Sequence, residues 1–198
     1  MKRRTGLARP KNQIHPLCWD VLRNAPRPAV LVLFRDGPHI EQATLEDLPQ
    51  LTELLTELFT LEGDFEPDPT RQMRGLRMLL EQPSRGRIFV LKQNGAILGM
   101  INLLFTISTA EGGSVIILED LIIQQDYRGH GLGSRLLNYA LDYAKKKDFK
   151  RITLLTDRVN AEAQRFYKRH GFFESAMLPM RYVLSEDSGT HAPEQSRL

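Results

Sequence analysis

Apolar and polar positions recur along this chain with changing periods, and each change of period marks an element. Residues 39–43 read as a first strand. Leu48, Leu51, Leu55 and Leu58 then repeat at helical spacing, with Thr44 placed as the N-cap and Glu46 and Asp47 in the first turn, where carboxylates complement the helix dipole. That helix is predicted to end near Gly63. Residues 64–69 (DFEPDP) form an acidic, turn-rich loop, and Pro69 suits the first position of a second helix carrying Met73, Leu76 and Leu80 inward and stopping at Pro83. Residues 87–91 and 96–107 read as strands joined at Asn94-Gly95, a pair that supplies the positive φ values of a tight hairpin turn. Residues 109–113 reverse the chain again.

Residues 114–148 organise the rest. Residues 115–123 are β-branched or apolar except for Glu119 and Asp120, as in a strand buried on both faces. A polar turn, residues 124–127, leads into Arg128-Gly129-His130-Gly131-Leu132-Gly133-Ser134. The period then becomes helical, with Leu132, Leu136, Leu137, Ala140, Leu141 and Ala144 on one stripe. Strand, glycine-rich loop and helix together make an anion site, because glycines admit positive φ and the first helical amides point outward without partners. A Walker loop is excluded, since no lysine follows Gly133. A dinucleotide fingerprint is disfavoured by the Gly129-x-Gly131-x-Gly133 spacing and by two carboxylates in the preceding strand. The coenzyme A loop Arg/Gln-x-x-Gly-x-Gly/Ala is matched by residues 128–133 at every defined position.

Downstream, residues 151–156 form a short strand, and residues 160–172 follow the pattern Asn-x-x-Ala-x-x-Phe-Tyr-x-x-x-Gly-Phe, a helix closed by glycine. With the loop, this motif makes residues 39–184 resemble the GNAT superfamily of N-acetyltransferases. Within it, Leu118-Glu119-Asp120-Leu121 with Tyr127-Arg128-Gly129 looks most like the polyamine acetyltransferase branch. The fold expected is a single α/β domain, a mixed and mostly antiparallel sheet flanked by helices, completed by final strands at residues 172–178 and 181–184. Residues 185–198 have no periodicity and read as a disordered tail.

The resemblance implies an acetyl-CoA-dependent enzyme that passes the acetyl group directly to an amine. The loop amides of Gly129, His130, Gly131, Leu132, Gly133 and Ser134 would grip the pyrophosphate, with Arg128 contributing a side chain. The backbone of Leu121, Ile122 and Ile123 would pair with the pantetheine arm, and Asn160 would lie near it. Glu119 is the candidate base, because a carboxylate in an apolar strand is desolvated and its pKa rises; strand alternation places it with Ile117 and Leu121, and Asp120 on the other face. Asp120 remains open as the alternative base. Tyr167, two turns from Asn160 on one helix face, is the candidate acid near the sulfur. Nothing in the pattern calls for a metal. By the same resemblance, Glu62, Asp64, Glu66 and Asp68 would lie near the bound amine, where four carboxylates favour a small cationic acceptor. A protein amine and a non-catalytic coenzyme A-binding module stay open, and homodimers are frequent among such proteins.

Composition adds a charge asymmetry. The formal net charge is +3, but residues 1–38 hold eight basic against two acidic side chains, so the excess belongs to that segment and the remainder is net negative. A basic segment of this kind, without interleaved aromatics, reads as a solvated, partly disordered extension and disfavours nucleic acid. A short apolar run, residues 29–34, precedes the domain. No apolar run is long enough to span a bilayer, the basic start is not followed by a secretory h-region, and the single cysteine, Cys18, suits a reducing compartment. A cytoplasmic location is the expectation.

Overall fold

The structure, a computed structural model, describes residues 37–61, 66–182 and 184. The basic segment, its apolar run, Cys18, Glu62, Asp64 and the tail therefore lie outside the described residues. Five strands form one sheet in the order β1-β2-β3-β4-β5: β1 (His39–Gln42), β2 (Gly86–Gln93), β3 (Ala96–Ser108), β4 (Gly113–Ile123) and β5 (Ile152–Leu154). The first three pairings are antiparallel, and β4 with β5 is parallel. Four helices flank it: α1 (Leu48–Leu61), α2 (Pro69–Glu81), α3 (Leu132–Lys146) and α4 (Ala161–Arg169). Among the described residues no helix is long and apolar enough to cross a membrane.

Each face of the sheet is sealed by an apolar helix stripe. Leu136, Leu137, Ala140 and Ala144 of α3 pack on Phe89, Leu91, Ile101, Leu103, Ile116 and Leu118. Leu48, Leu51, Leu54 and Leu55 of α1, with Leu76 of α2, pack on Ile88, Val90, Ile97, Met100 and Ile122. Each such leucine contributes roughly 1.5–3 kcal/mol on burial. The hairpin turn has φ of 52° at Asn94 and 80° at Gly95, as the pair predicts. Thr44 and Asp47 close the entry to α1: the Asp47 carboxylate accepts from the Thr44 amide at 2.8 Å and its hydroxyl at 3.3 Å. The other oxygen of Asp47 meets Lys92 of β2 at 2.8 Å, and Lys92 also meets Glu41 at 2.7 Å.

Three expectations are corrected. In α2, Met73 is exposed and Gln72 takes the inward position beside Leu76, accepting a hydrogen bond from Thr56 at 2.9 Å. The helix starts at Pro69 with Asp68 as its cap, and that start sets the phase, so positions 72 and 76 share the inner face. Residues 172–178 and the described residues 181, 182 and 184 form no strand; Phe173, Met177, Leu178, Met180, Tyr182 and Leu184 are exposed, and Pro179 removes a backbone donor between the two segments. Finally, β4 is not buried throughout, since Ile117 and Glu119 are exposed.

Candidate active site

The site is built where β4 ends and α3 begins. β4 pairs with β5 only at Ile116, Ile117 and Leu118. From Asp120 to Ile123 its ladder partners all lie on β3, so among the described residues the edge beside Leu121, Ile122 and Ile123 carries no neighbouring strand. A 3₁₀ turn, Gln125–Tyr127, then delivers the glycine loop. Gly129 and Gly131 both have φ of 77°, and among the described residues no atom beyond the adjoining chain lies within 4 Å of where a side chain would start at either. A conformation that disfavours side chains thus coincides with open space above the loop. Gly131 is the N-cap of α3 and supplies no side-chain acceptor, so the first-turn amides of α3 are left for solvent or an anion. Gly133 sits inward, where a β-carbon would lie in van der Waals contact with Phe166 of α4 and Ile123 of β4.

Arg128 does not project over the loop. Its Nε donates to the Ile123 carbonyl at 2.7 Å, and its guanidinium pairs with Glu57 of α1. The side chain expected beside a pyrophosphate is therefore a strut joining the end of β4, the loop and α1. His130 is exposed in the loop. Asn160 caps α4, its Oδ1 accepting from the Ala163 amide at 3.0 Å. Tyr167, two turns along α4, is half-buried against the α3-side core, its ring edge-on to Phe166 at 5.2 Å and to Phe172 at 5.6 Å.

The carboxylates of β4 depart most from expectation. Asn102 of β3 lies opposite Asp120, while its neighbour Leu103 lies opposite Leu118, so Glu119 is the extra residue of a β-bulge. The bulge inverts the alternation: Leu118 belongs to the α3-side core, yet Ile122 belongs to the α1/α2 side. Ile117 and Leu121 consequently do not share a face, and Glu119 is exposed, which removes the desolvation argument for it. Asp120 is the buried carboxylate, 8% exposed. Burial pushes its pKa up to about 6; a hydrogen bond from Asn102 Nδ2 at 2.9 Å opposes the rise, and the charge of Glu119 adds to it. No cation is among the causes acting on it.

Residues 48–172 match the family model described as the acetyltransferase (GNAT) family. The chain belongs to that family. It is 34% identical over 87 residues to an uncharacterised N-acetyltransferase of Bacillus subtilis, covering 44% of this chain and 58% of that protein. It is 28% identical over 140 residues to another from Methanocaldococcus jannaschii, covering 70% and 62%. The chain thus spans about three-fifths of the length of these relatives. The fold is shared with a solved possible acetyltransferase from Clostridium difficile 630, with a TM-score of 0.70, 18% identity, and 76% and 99% of the two chains covered.

Within this GNAT chain, the structure brings together the unpaired β4 edge, the glycine loop and, through Gly133, helix α4. It diverts Arg128 to a strut and leaves Glu119 in solvent. Residue reasoning missed Asn102, Glu57 and Gln164, whose amide donates to the carbonyls of Asp157 and Arg158 at 2.9 and 3.0 Å and ties down the approach to α4. Only Asn102 left a signal, as the lone amide in the apolar run of β3.

Proposed function

We propose that this chain is an acetyl-CoA-dependent N-acetyltransferase acting on the primary amine of a small cationic acceptor, with residues 39–184 as the catalytic unit. One observation carries the reading: uncapped α3 amides, reached across an open glycine loop, adjoin a strand edge that lacks a partner among the described residues. That combination fits an elongated ligand with an anionic middle and an amide-bearing arm. The amides of residues 129–134 would hold the diphosphate, and the backbone of Leu121 to Ile123 the arm, with the Ile123 carbonyl already engaged by Arg128. Acetyl-CoA held there supplies an activated acyl thioester.

The chain's own residues then manage protons. An ammonium must lose a proton to become a nucleophile, and an acceptor group with a pKa near 6 is ionised yet still basic at neutral pH. Asp120 meets that requirement through burial, whereas Glu119, exposed in the bulge, would act on Asp120 through its charge. Tyr167 would donate a proton to the departing thiolate from its half-buried position on α4. The preference for a cationic acceptor rests on Asp120 rather than on the acidic loop. Asp68 is spent capping α2, bonded to the Thr70 and Arg71 amides at 3.0 and 3.1 Å.

The test is acetyl-CoA consumption by the purified chain over polyamines, aminoglycosides, amino acids and peptide amines. Turnover with a cationic small amine, reduced by Tyr167→Phe while calorimetric coenzyme A binding persists, is the expected result. Coenzyme A binding with no turnover anywhere in the panel points to a binding module, and absence of binding removes the reading altogether.

A further inference from the structure

Beneath α1 and α2 the sheet holds a buried amide side chain that the mechanism above does not use. Asn102 is 7% exposed and sits opposite Asp120 in the β3–β4 ladder. Its Nδ2 donates to Asp120 Oδ2 at 2.9 Å, while its Oδ1, equally buried, has no hydrogen-bond partner among the described residues. A buried carbonyl oxygen without a donor is costly, and leucine or valine would suit an apolar strand better than an amide with half its valence unused. The amide is intelligible if both of its ends are needed in turn.

Asparagine carries a donor at one end and an acceptor at the other, and a carboxyl group needs one or the other according to its proton count. An ionised Asp120 needs a donor, and Nδ2 supplies it in the arrangement observed. A protonated Asp120 carries an O–H that needs an acceptor, and a half-turn of the amide presents the vacant Oδ1. We propose that Asn102 is a positioning residue that rotates its carboxamide end for end, holding Asp120 in register both when it is a carboxylate and when it is an acid. This rests on Asp120 being the base proposed above. The step balances simply: the acceptor's R–NH₃⁺ gives one proton, through water, to the Asp120 carboxylate, leaving R–NH₂ and a neutral carboxylic acid that later returns the proton to solvent. Without the amide's second end, the acid form would be left with a buried O–H and nothing to receive it.

Among the described residues, the surroundings leave this pair to itself. The only other ionisable residue of β4 is Glu119; β3 and β5 carry none over their lengths. Of the helices on this face, α1 carries Glu53, which is exposed, and Glu57, which is committed to Arg128. On α2, Arg71, Arg74, Arg77 and Glu81 are exposed, and on β2 Lys92 is held by Glu41 and Asp47 while Arg87 is half-buried.

The experiment follows the Asp120 carboxyl carbon and the Asn102 side-chain amide by nuclear magnetic resonance from pH 4 to 8 in the full chain. The expected result is one shared midpoint near 6, with the two Asn102 amide protons changing environment as the carboxyl titrates. Asn102→Leu, which offers neither donor nor acceptor, should raise the Asp120 midpoint by about one unit and lower kcat/KM at pH 6 by about fivefold, with calorimetric coenzyme A affinity unchanged. Asn102 amide signals that stay flat through the Asp120 titration overturn the proposal. If that variant does not fold, the co-titration in the parent chain decides alone. Failure of the amine panel removes the enzymatic reading but does not bear on the co-titration; turnover with flat amide signals removes the role of Asn102 and leaves the enzyme.

Discussion

Two aspartates are almost equally buried, Asp47 in the 3₁₀ turn before α1 at 5% exposed and Asp120 on β4 at 8%, and they end in opposite electrostatic states. Burial alone would raise both. At Asp47 the rise is outweighed by hydrogen bonds and charge from Lys92 and by the Thr44 amide and hydroxyl, so its carboxyl is held below the ordinary value. At Asp120 the only opposing contribution is a neutral amide, and the carboxyl rises to about 6. Depth of burial therefore does not distinguish a structural carboxylate from a reactive one. The partner does: a cation fixes the charge, whereas an amide leaves a proton free to come and go.

The largest effect should come from removing the cation. Lys92→Met leaves the Asp47 charge buried without its counter-ion, and stability by urea titration at pH 7 should fall by about 3–5 kcal/mol. Glu41, more exposed, can be hydrated and should account for little of that loss. If the variant unfolds with an unchanged midpoint, Asp47 is not held by Lys92 and the contrast with Asp120 collapses.

The complementary substitution acts with the other sign. An acid whose folded pKa exceeds its unfolded value binds more protons when folded, so stability falls as pH rises from 3.8 toward about 6 and the full penalty stands above that window. Two pKa units correspond to about 3 kcal/mol. Asp120→Asn should therefore stabilise the protein by up to about 3 kcal/mol at pH 8 and by nothing measurable at pH 3.5, while turnover falls by roughly 10²–10⁴-fold. At Asp47 the sign reverses, because its lowered pKa contributes stability that is present at neutral pH and lost on acidification through its folded value. Parallel urea series for the parent and Asp120→Asn, from pH 3.5 to 8, isolate the Asp120 share. A difference that does not shrink on acidification would show that the variant acts through packing rather than charge.

How much of this was legible beforehand follows from which interactions are local. The α1 and α3 stripes, the Asn94-Gly95 turn and the positive φ of Gly129 and Gly131 are written in short-range spacing, and the structure carries each of them. The bulge at Glu119 is not local. It depends on which β3 residues face β4, and one inserted residue exchanges the two carboxylates between solvent and core. The partners of Arg128 and Lys92 lie 71 and 45 residues away along the chain, so their ion pairs leave no pattern in sequence. The family resemblance sets Asp68 among four acceptor-facing charges, although Asp followed by Pro is also the signature of a helix start, and that local rule prevails. The final strands expected at residues 172–178 and 181–184 find no partner strand among the described residues.

The smallest predicted effect separates the two adjacent carboxylates. Glu119 is exposed in the bulge and enters the electrostatics of Asp120 only as a like charge that raises its pKa. Glu119→Gln should then leave stability within about 0.5 kcal/mol of the parent. It should lower the Asp120 midpoint by a few tenths of a unit and move the acid limb of kcat/KM down with it, leaving kcat at pH 8 within about twofold. Both carboxylates lie at the same end of β4, so the substitution tests charge and exposure while distance from the loop hardly changes. A loss of turnover of 10²-fold or more in Glu119→Gln, set beside an active Asp120→Asn, would return the base to Glu119. Proton transfer would then occur at the solvent-facing side of the bulge, and the raised Asp120 would be a by-product of burial.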